Sequence, residues 1–558
     1  MKSAKPRNLF DLLGLGLITV ISLFYIRQSL VQLEYLSQRR LANGNYTTVG
    51  YGDVMARDLP KANSFLAGGF FDDPHYVNEV NWYPFMTPYL VSIISRIIST
   101  QPYYSYLLTG IISSGLYIIA LALFVRFHFG IISYIFYPIL LSLGKSWPDN
   151  GYYPFQTAHI PFLIYLILAG ALLNHIVNQK ESSSSKATVY LSICLGFING
   201  MLGIWHGASF FTATFTSILL MIGFFATEIN KKKLGSVVPV VLLFVFSLVI
   251  GIGPLLLPQI IHYGHYQTAD AARLSLDKVY EDGNLPEGLF FLKLLPTGVD
   301  AGFLIAFLLL FIVAKRSRQY KLAPLFISYA GAKALAHLGF VVNSTEYPWL
   351  AKLSQRILMA PPHTFNEISH HLLEIIKIIV LCASIELIIH GLQKAIPTFK
   401  SRFFTSEILD LKLPIVALII SGLIFFAHHP LQPAFYISAI DQDIVLFASE
   451  VEKLVGPNET VIDANPLAGF SSIKILYTGS PQHSNPYVDK ERAEAQYIIN
   501  SGIIATMNEV IDRYNIHYAV VYSKQPSVVS KLCKKDTLLS SDNSEYQLIS
   551  LTTCSPPN

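Results

Sequence analysis

Four aspartates fall close together in one polar stretch: Asp53, Asp58, Asp72 and Asp73. Arg57 precedes Asp58, and Lys61, Trp82, Tyr83 and Arg96 follow. A carboxylate in such a place can act as a general base and take the proton of a hydroxyl group. Arg57 can orient that carboxylate or contact a phosphate. Farther along, Lys293, Lys352, Arg356 and His363 can hold a departing phosphate. Arginine suits this best, because its planar fork matches the oxygens of a phosphate. The segment 352–365, KLSQRILMAPPHTF, combines Lys, Arg and His with a Pro-Pro step, and it reads equally as an interfacial helix. Trp82, Tyr83, Trp147, Tyr152, Tyr153, Tyr347 and Trp349 can stack on sugar rings or sit as interfacial belt aromatics. Asp73 joins Trp82 and Tyr83 as a candidate contact to an acceptor sugar. Asp72 and Asp73 are also candidate oxygen ligands for a divalent cation. Asp-Asp-Pro is an ordinary turn as well. The plainest alternative for all four carboxylates is a solvated loop.

Several chemistries are absent from the sequence. It has no phosphate-cradling GxxxxGK[ST], no dinucleotide fingerprint and no HExxH. It has no Cys/His spacing for zinc and no nucleophile elbow. A soluble nucleotide substrate is therefore not expected, and no cofactor is implied beyond the open question of a divalent cation. The net charge of +4 is small, and no nucleic-acid partner is expected.

The elements that must position these residues are mostly membrane spans. Of 558 residues, 52% are hydrophobic and 14% charged, against about 25% charged in soluble domains. The basic start (Lys2, Lys5, Arg7) and the apolar run 9–25 lack a small-residue cleavage site, so they read as an uncleaved first span. Further spans are expected near 103–125, 131–143, 154–177, 188–203, 209–227, 237–257, 299–314, 322–342, 372–392 and 413–427. That makes about eleven in a polytopic α-helical membrane protein. The run 85–98 is short and interrupted by Pro88 and Arg96, which fits an interfacial helix. Basic clusters such as 231–233 and 315–321 fall on one side, as the positive-inside rule requires. This sets the N-terminus in the cytoplasm and the Asp-rich loop, 26–102, outside, in a multi-pass protein of the plasma membrane. Among polar residues near late spans, Glu374 and Lys377 are three apart and can pair, while His206, Lys333, His337, His370 and His371 are open to functional or packing roles.

Two domains follow: membrane-embedded 1–428 and extracytoplasmic 429–558. The second alternates short strands (460–464, 473–477, 517–522, 546–551) with helices (444–455, 504–514), which indicates a small α/β domain. Cys533 and Cys554 can pair there in an oxidising compartment, or remain free thiols.

This layout resembles the GT-C superfamily of membrane glycosyltransferases. The order Gly52-Asp53, Arg57, Leu59, Asp73, Tyr76, Tyr83-Pro84 and Arg96 is similar to the first loop of the actinobacterial galactan arabinofuranosyltransferases. The resemblance implies a polyprenyl-phosphate sugar donor, arabinofuranose as a candidate sugar, and inversion at the anomeric carbon. It gives Asp53 the place of the catalytic base, with Asp58 next. Lys352, Arg57, Arg356 and His363 then bind donor phosphate, and the acceptor is a glycan or lipid. A flippase for lipid-linked sugars is the rival, but it should show internal repeats, and none is visible. A non-catalytic scaffold is a second rival, and transfer of a whole oligosaccharide is a closer variant of the first reading.

Overall fold

The structure is a computed structural model. It describes residues 6–50, 54–129, 134–135, 137–139, 155–178, 186–230, 237–266, 320–342, 362–395, 409–428, 437–456, 458–479, 485–522, 528, 533–543 and 545–554. Most of these form a helical bundle that carries a small sheet domain at its C-terminal end. Six helices among them are long and apolar enough to cross a membrane: Asp11–Leu41, Pro102–Phe129, Ala158–Val177, Lys186–Trp205, Gly207–Phe224 and Val238–Tyr263.

Helix α1 spans Pro6–Leu41 and continues well past the apolar run that predicts it. Residues 26–41 are rich in Leu, Arg and Gln and contain neither Gly nor Pro, so nothing stops the helix at the end of the apolar run. A strand, β1 (Asn45–Val49), follows. A five-residue π-helical turn, Val54–Asp58, leads into the short α2, Leu59–Leu66. The expected interfacial helix is α3, Met86–Ile98. The bundle continues with α4 (Pro102–Phe129), α5 (Phe155–Asn178), α6 (Lys186–Trp205), α7 (Gly207–Asn230) and α8 (Val237–Tyr263). Then come α9 (Ala323–Val342), α10 (Pro362–Ala395) and α11 (Leu409–His428). Helices α6 and α8 pack closely. A Cβ on Gly200 would lie 2.2 Å from Leu248 O and 2.9 Å from Gly251 Cα, so only small residues permit this approach.

The C-terminal unit begins with β2 (Ile437–Asp441) and α12 (Gln442–Leu454). It continues through β3 (Thr460–Ile462), α13 (Asn465–Ala468), β4 (Lys474–Ile475), α14 (Asp489–Ser501) and α15 (Ile504–Arg513). It ends with β5 (Ile516–Tyr522), β6 (Cys533–Ser540) and β7 (Tyr546–Cys554). The sheet order is β4-β3-β5-β7-β6. Strand β3 runs parallel to β4 and β5, and β7 runs antiparallel to β5 and β6, with Cys533 opposite Cys554 in the backbone register.

This unit does not stand apart from the first loop. Strand β2 pairs antiparallel with β1, from Asn45↔Asp441 to Val49↔Ile437. One hydrophobic core draws Leu33 from α1, Val54 and Leu59 from the loop, Tyr106 from α4, and Val451, Leu467 and Val520 from the C-terminal unit. The sequence patterns point to most of the helices and four strands of the sheet. They miss β1, β2 and β6 and the helices α2, α13 and α14: β1, β2, α2 and α13 are too short to show a period, and the charged residues of β6 (CKKDTLLS) and α14 hide theirs.

Candidate active site

The π-helical turn sets the site. Its wider winding brings two adjacent charged side chains, Arg57 and Asp58, to the mouth of α2, where Pro60 starts the helix without needing a backbone N–H. Asp58 is 8% exposed. Arg57 Nε donates to Asp58 Oδ1 at 3.2 Å, and the Tyr106 hydroxyl on α4 donates to Oδ2 at 2.9 Å. A buried carboxylate that accepts from a guanidinium on one oxygen and a hydroxyl on the other is fixed in orientation. The Arg57 guanidinium lies 4.0 Å over the Tyr83 ring, which fixes its other face.

Two clefts meet at this pair. One is an open cleft of about 370 Å³ between α3, α4, α5 and the α6–α7 junction, and it is lined by Arg57, Asp58, Tyr83, Thr87, Tyr106, Trp205 and His206. The other, about 280 Å³, continues past Arg57 and Asp58 toward Lys61, His75, Asn81 and Trp82. The α6–α7 junction is tied to the loop, since the Phe85 N–H donates to Ile204 O at 3.0 Å. His206 Nδ1 and Ser209 Oγ are 3.0 Å apart. Deeper in the bundle, the His159 and His371 rings approach to 4.4 Å between centroids, and Lys377 donates to Glu374 at 2.6 Å, the pairing their spacing allows.

Behind the clefts, the Asp72-Asp73-Pro74 turn is built from the carboxylate of Asp73. Its Oδ1 accepts from the His75 and Tyr76 N–H groups at 2.8 and 3.0 Å, and its Oδ2 accepts from Asn485 Nδ2 at 3.0 Å. Asp73 is fully buried, so its bonds in this structure are to the protein. Lys61 Nζ donates to Asp72 O at 2.6 Å and to Phe70 O at 3.3 Å, and Lys474 Nζ donates to Asp73 O. Burial pushes the Lys61 ammonium down to about 7, Asp73 opposes that, and nearby Lys474 adds to it. Burial lowers Lys474 as well. Among the described residues, no group of three or more His, Cys, Asp or Glu is placed to hold a metal ion.

No protein-family model and no characterised protein sequence matches the chain. In overall shape it is similar to several solved structures. One is ArnT from Cupriavidus metallidurans bound to undecaprenyl phosphate, at 10% identity and TM-score 0.48, covering 97% of this chain and 100% of that one. Another is the Archaeoglobus fulgidus oligosaccharyltransferase in its apo form, at 12% identity and TM-score 0.45, covering 92% and 69%. A third is AglB from A. fulgidus in complex with an inhibitory peptide and a dolichol-phosphate, at 12% identity and TM-score 0.39, covering 85% and 66%.

Of the residues singled out from the sequence, the structure brings Arg57, Asp58, Trp82 and Tyr83 around the joined clefts, with Asp73 behind them. Asp53, Lys293, Lys352 and Arg356 lie outside the described residues, as do Trp147, Tyr152, Tyr153, Tyr347 and Trp349. His363 belongs to α10, and its side chain is not among those described. His206, open to a functional or packing role from the sequence, lines the first cleft, and Lys61 lines the second, whereas Tyr106, Lys474 and Asn485 enter the site without having been singled out for it. Each carries an ordinary residue type in an ordinary setting, and only the fold brings them together.

Proposed function

We propose that this chain is a membrane glycosyltransferase that moves a sugar from a polyprenyl-phosphate donor to a hydroxyl of a glycan or lipid acceptor. The observation that carries the reading is the Asp58 carboxylate, fixed by Tyr106 and Arg57 where two clefts meet beside apolar helices. A carboxylate takes the acceptor proton as the acceptor oxygen bonds to the anomeric carbon. The bond from that carbon to the phosphate oxygen breaks on the opposite face, so configuration inverts. The lipid phosphate leaves with the bonding pair, and cations hold its charge. Asp53 is the base in the first-loop pattern, and Asp58 is the second candidate. Arg57, Arg356, His363 and Lys352 serve the phosphate. Trp82 and Tyr83 meet the acceptor sugar, and Asp73 shapes that side through the turn it holds. Arabinofuranose is the sugar to test first, and the loop side of the protein is taken to be extracytoplasmic.

The test is transfer by the purified full chain in liposomes, with polyprenyl-phosphate arabinofuranose and other lipid-phosphate sugars offered as labelled donors. Transfer that disappears in Asp53→Asn or Asp58→Asn supports the reading. Full activity in both variants overturns the carboxylate mechanism.

A further inference from the structure

The side-chain amide of Asn485 joins three separate parts of the molecule. The two hydrogens on its Nδ2 are shared among Asp73 Oδ2 at 3.0 Å, Val80 O at 3.2 Å and the Tyr263 hydroxyl at 3.1 Å. Its Oδ1 accepts from the Tyr487 N–H at 3.1 Å. Asn485 has no exposed surface. Tyr263 closes the end of α8 and stacks on Tyr487, with ring centroids 3.8 Å apart and planes 8° from parallel. The Tyr263 hydroxyl donates in turn to Glu79 at 2.8 Å. One amide from the C-terminal unit thus meets the first loop and a membrane helix together.

Two short routes lead from this amide to the Arg57–Asp58 turn. Along the first, Val80 precedes Asn81, whose Nδ2 donates to Tyr83 O at 2.8 Å, and the Tyr83 ring carries the Arg57 guanidinium. Along the second, Asp73 sits beside Asp72, whose carbonyl takes the Lys61 ammonium one helical turn after Asp58. Each route combines a peptide step with a half-buried hydrogen bond, and the first ends in the cation–π contact; such bonds transmit a displacement because breaking one leaves a partner unsatisfied.

We propose that Asn485 is a positioning residue for the transfer reaction: it sets the Asp73 turn and the Val80–Tyr83 strip, and through them the placement of Arg57 and Asp58. This rests on the glycosyltransferase reading for its activity arm. The C-terminal unit is then a working wall of the site, and it acts without touching the reacting atoms.

The test exchanges the two partners. Asn485→Asp sets a carboxylate against Asp73. The double variant Asp73→Asn/Asn485→Asp restores one amide and one carboxylate with the direction of the bond reversed. In the liposome assay, Asn485→Asp should lower kcat roughly tenfold with donor KM little changed, and the double variant, which restores the bond to residue 73 but not the donation to Val80 O, should recover part of it. Hydrogen exchange over residues 54–66 should accelerate in Asn485→Asp and return toward the wild-type rate in the double variant, while the amides of β3, β5 and β7 stay protected. If Asn485→Asp does not fold, Asn485→Ser, which keeps a small hydrogen-bonding group, carries the same measurements. A double variant no better than Asn485→Asp, or unchanged exchange over 54–66, overturns the proposal. If the wild-type chain transfers no lipid-phosphate sugar, the functional reading fails, and the exchange measurements still decide whether Asn485 sets the turn.

Discussion

At the scale of single residues, the site depends on how one carboxylate is held. Tyr106 gives Asp58 a hydrogen bond that a phenylalanine cannot, and bonds to charged groups contribute about 1.5–3 kcal/mol. Tyr106→Phe should therefore slow transfer by roughly tenfold or more. If Asp58 is the base, Asp58→Asn should cost about 10²–10⁴-fold, and kcat in the liposome assay separates the two outcomes. Arg57 and Asp58 could be read as partners from the sequence, because they are neighbours. Tyr106 could not, since a tyrosine inside an apolar span is usually packing. Lys61 makes a different prediction. Its folded pKa lies near 7, against an ordinary value near 10.5. Below about 7 the folded chain bears the full cost of a buried ammonium. As the pH rises from about 7 to 10.5, the folded chain releases its proton before the unfolded chain does, so stability rises across that window. Lys61→Met removes this titration, so its melting temperature should climb less than that of the wild type between pH 7 and 9 in detergent.

At the scale of elements, the π-helical turn is kept in shape by its neighbours more than by its own sequence. Gly469, at the end of α13, lies so close that a Cβ there would stand 2.9 Å from Met55 O. Asn63 on α2 donates to Gly469 O at 3.2 Å, and the Ile475 N–H donates to His75 O at 2.8 Å. Gly469→Ala should push the turn away and lower activity severalfold, while circular dichroism and membrane insertion stay unchanged; unaltered kcat would show that the turn tolerates the shift. Helices of this protein are legible in its sequence because twenty apolar residues have few other uses. The contacts of the turn are not legible, because they join residues hundreds of positions apart, such as Asp73 and Asn485, separated by 412. Local periodicity carries no trace of such a pairing.

At the scale of the whole molecule, the C-terminal unit and the first loop share a core and a two-stranded sheet. A chain ending at residue 428 loses β2, the partner of β1, along with Val451, Leu467 and Val520 from that core. It should insert in membranes but show no transfer, and trypsin should cut it rapidly between residues 42 and 84; persistent activity would mean that the core is dispensable. An α/β character for the last 130 residues can be read from the sequence, whereas the union with the loop cannot, because β1 and β2 are each five residues long and look like ordinary linkers. The pairing of β1 with β2 also sets a timetable. The two strands are about 400 residues apart in the chain, and synthesis at roughly 5–20 residues per second leaves β1 waiting about 20–80 s for its partner. During that interval the Arg57–Asp58 turn lacks the surfaces that shape it. On the proposed function, a nascent chain would therefore be unable to transfer a sugar until β2 and the core residues that follow it have been made.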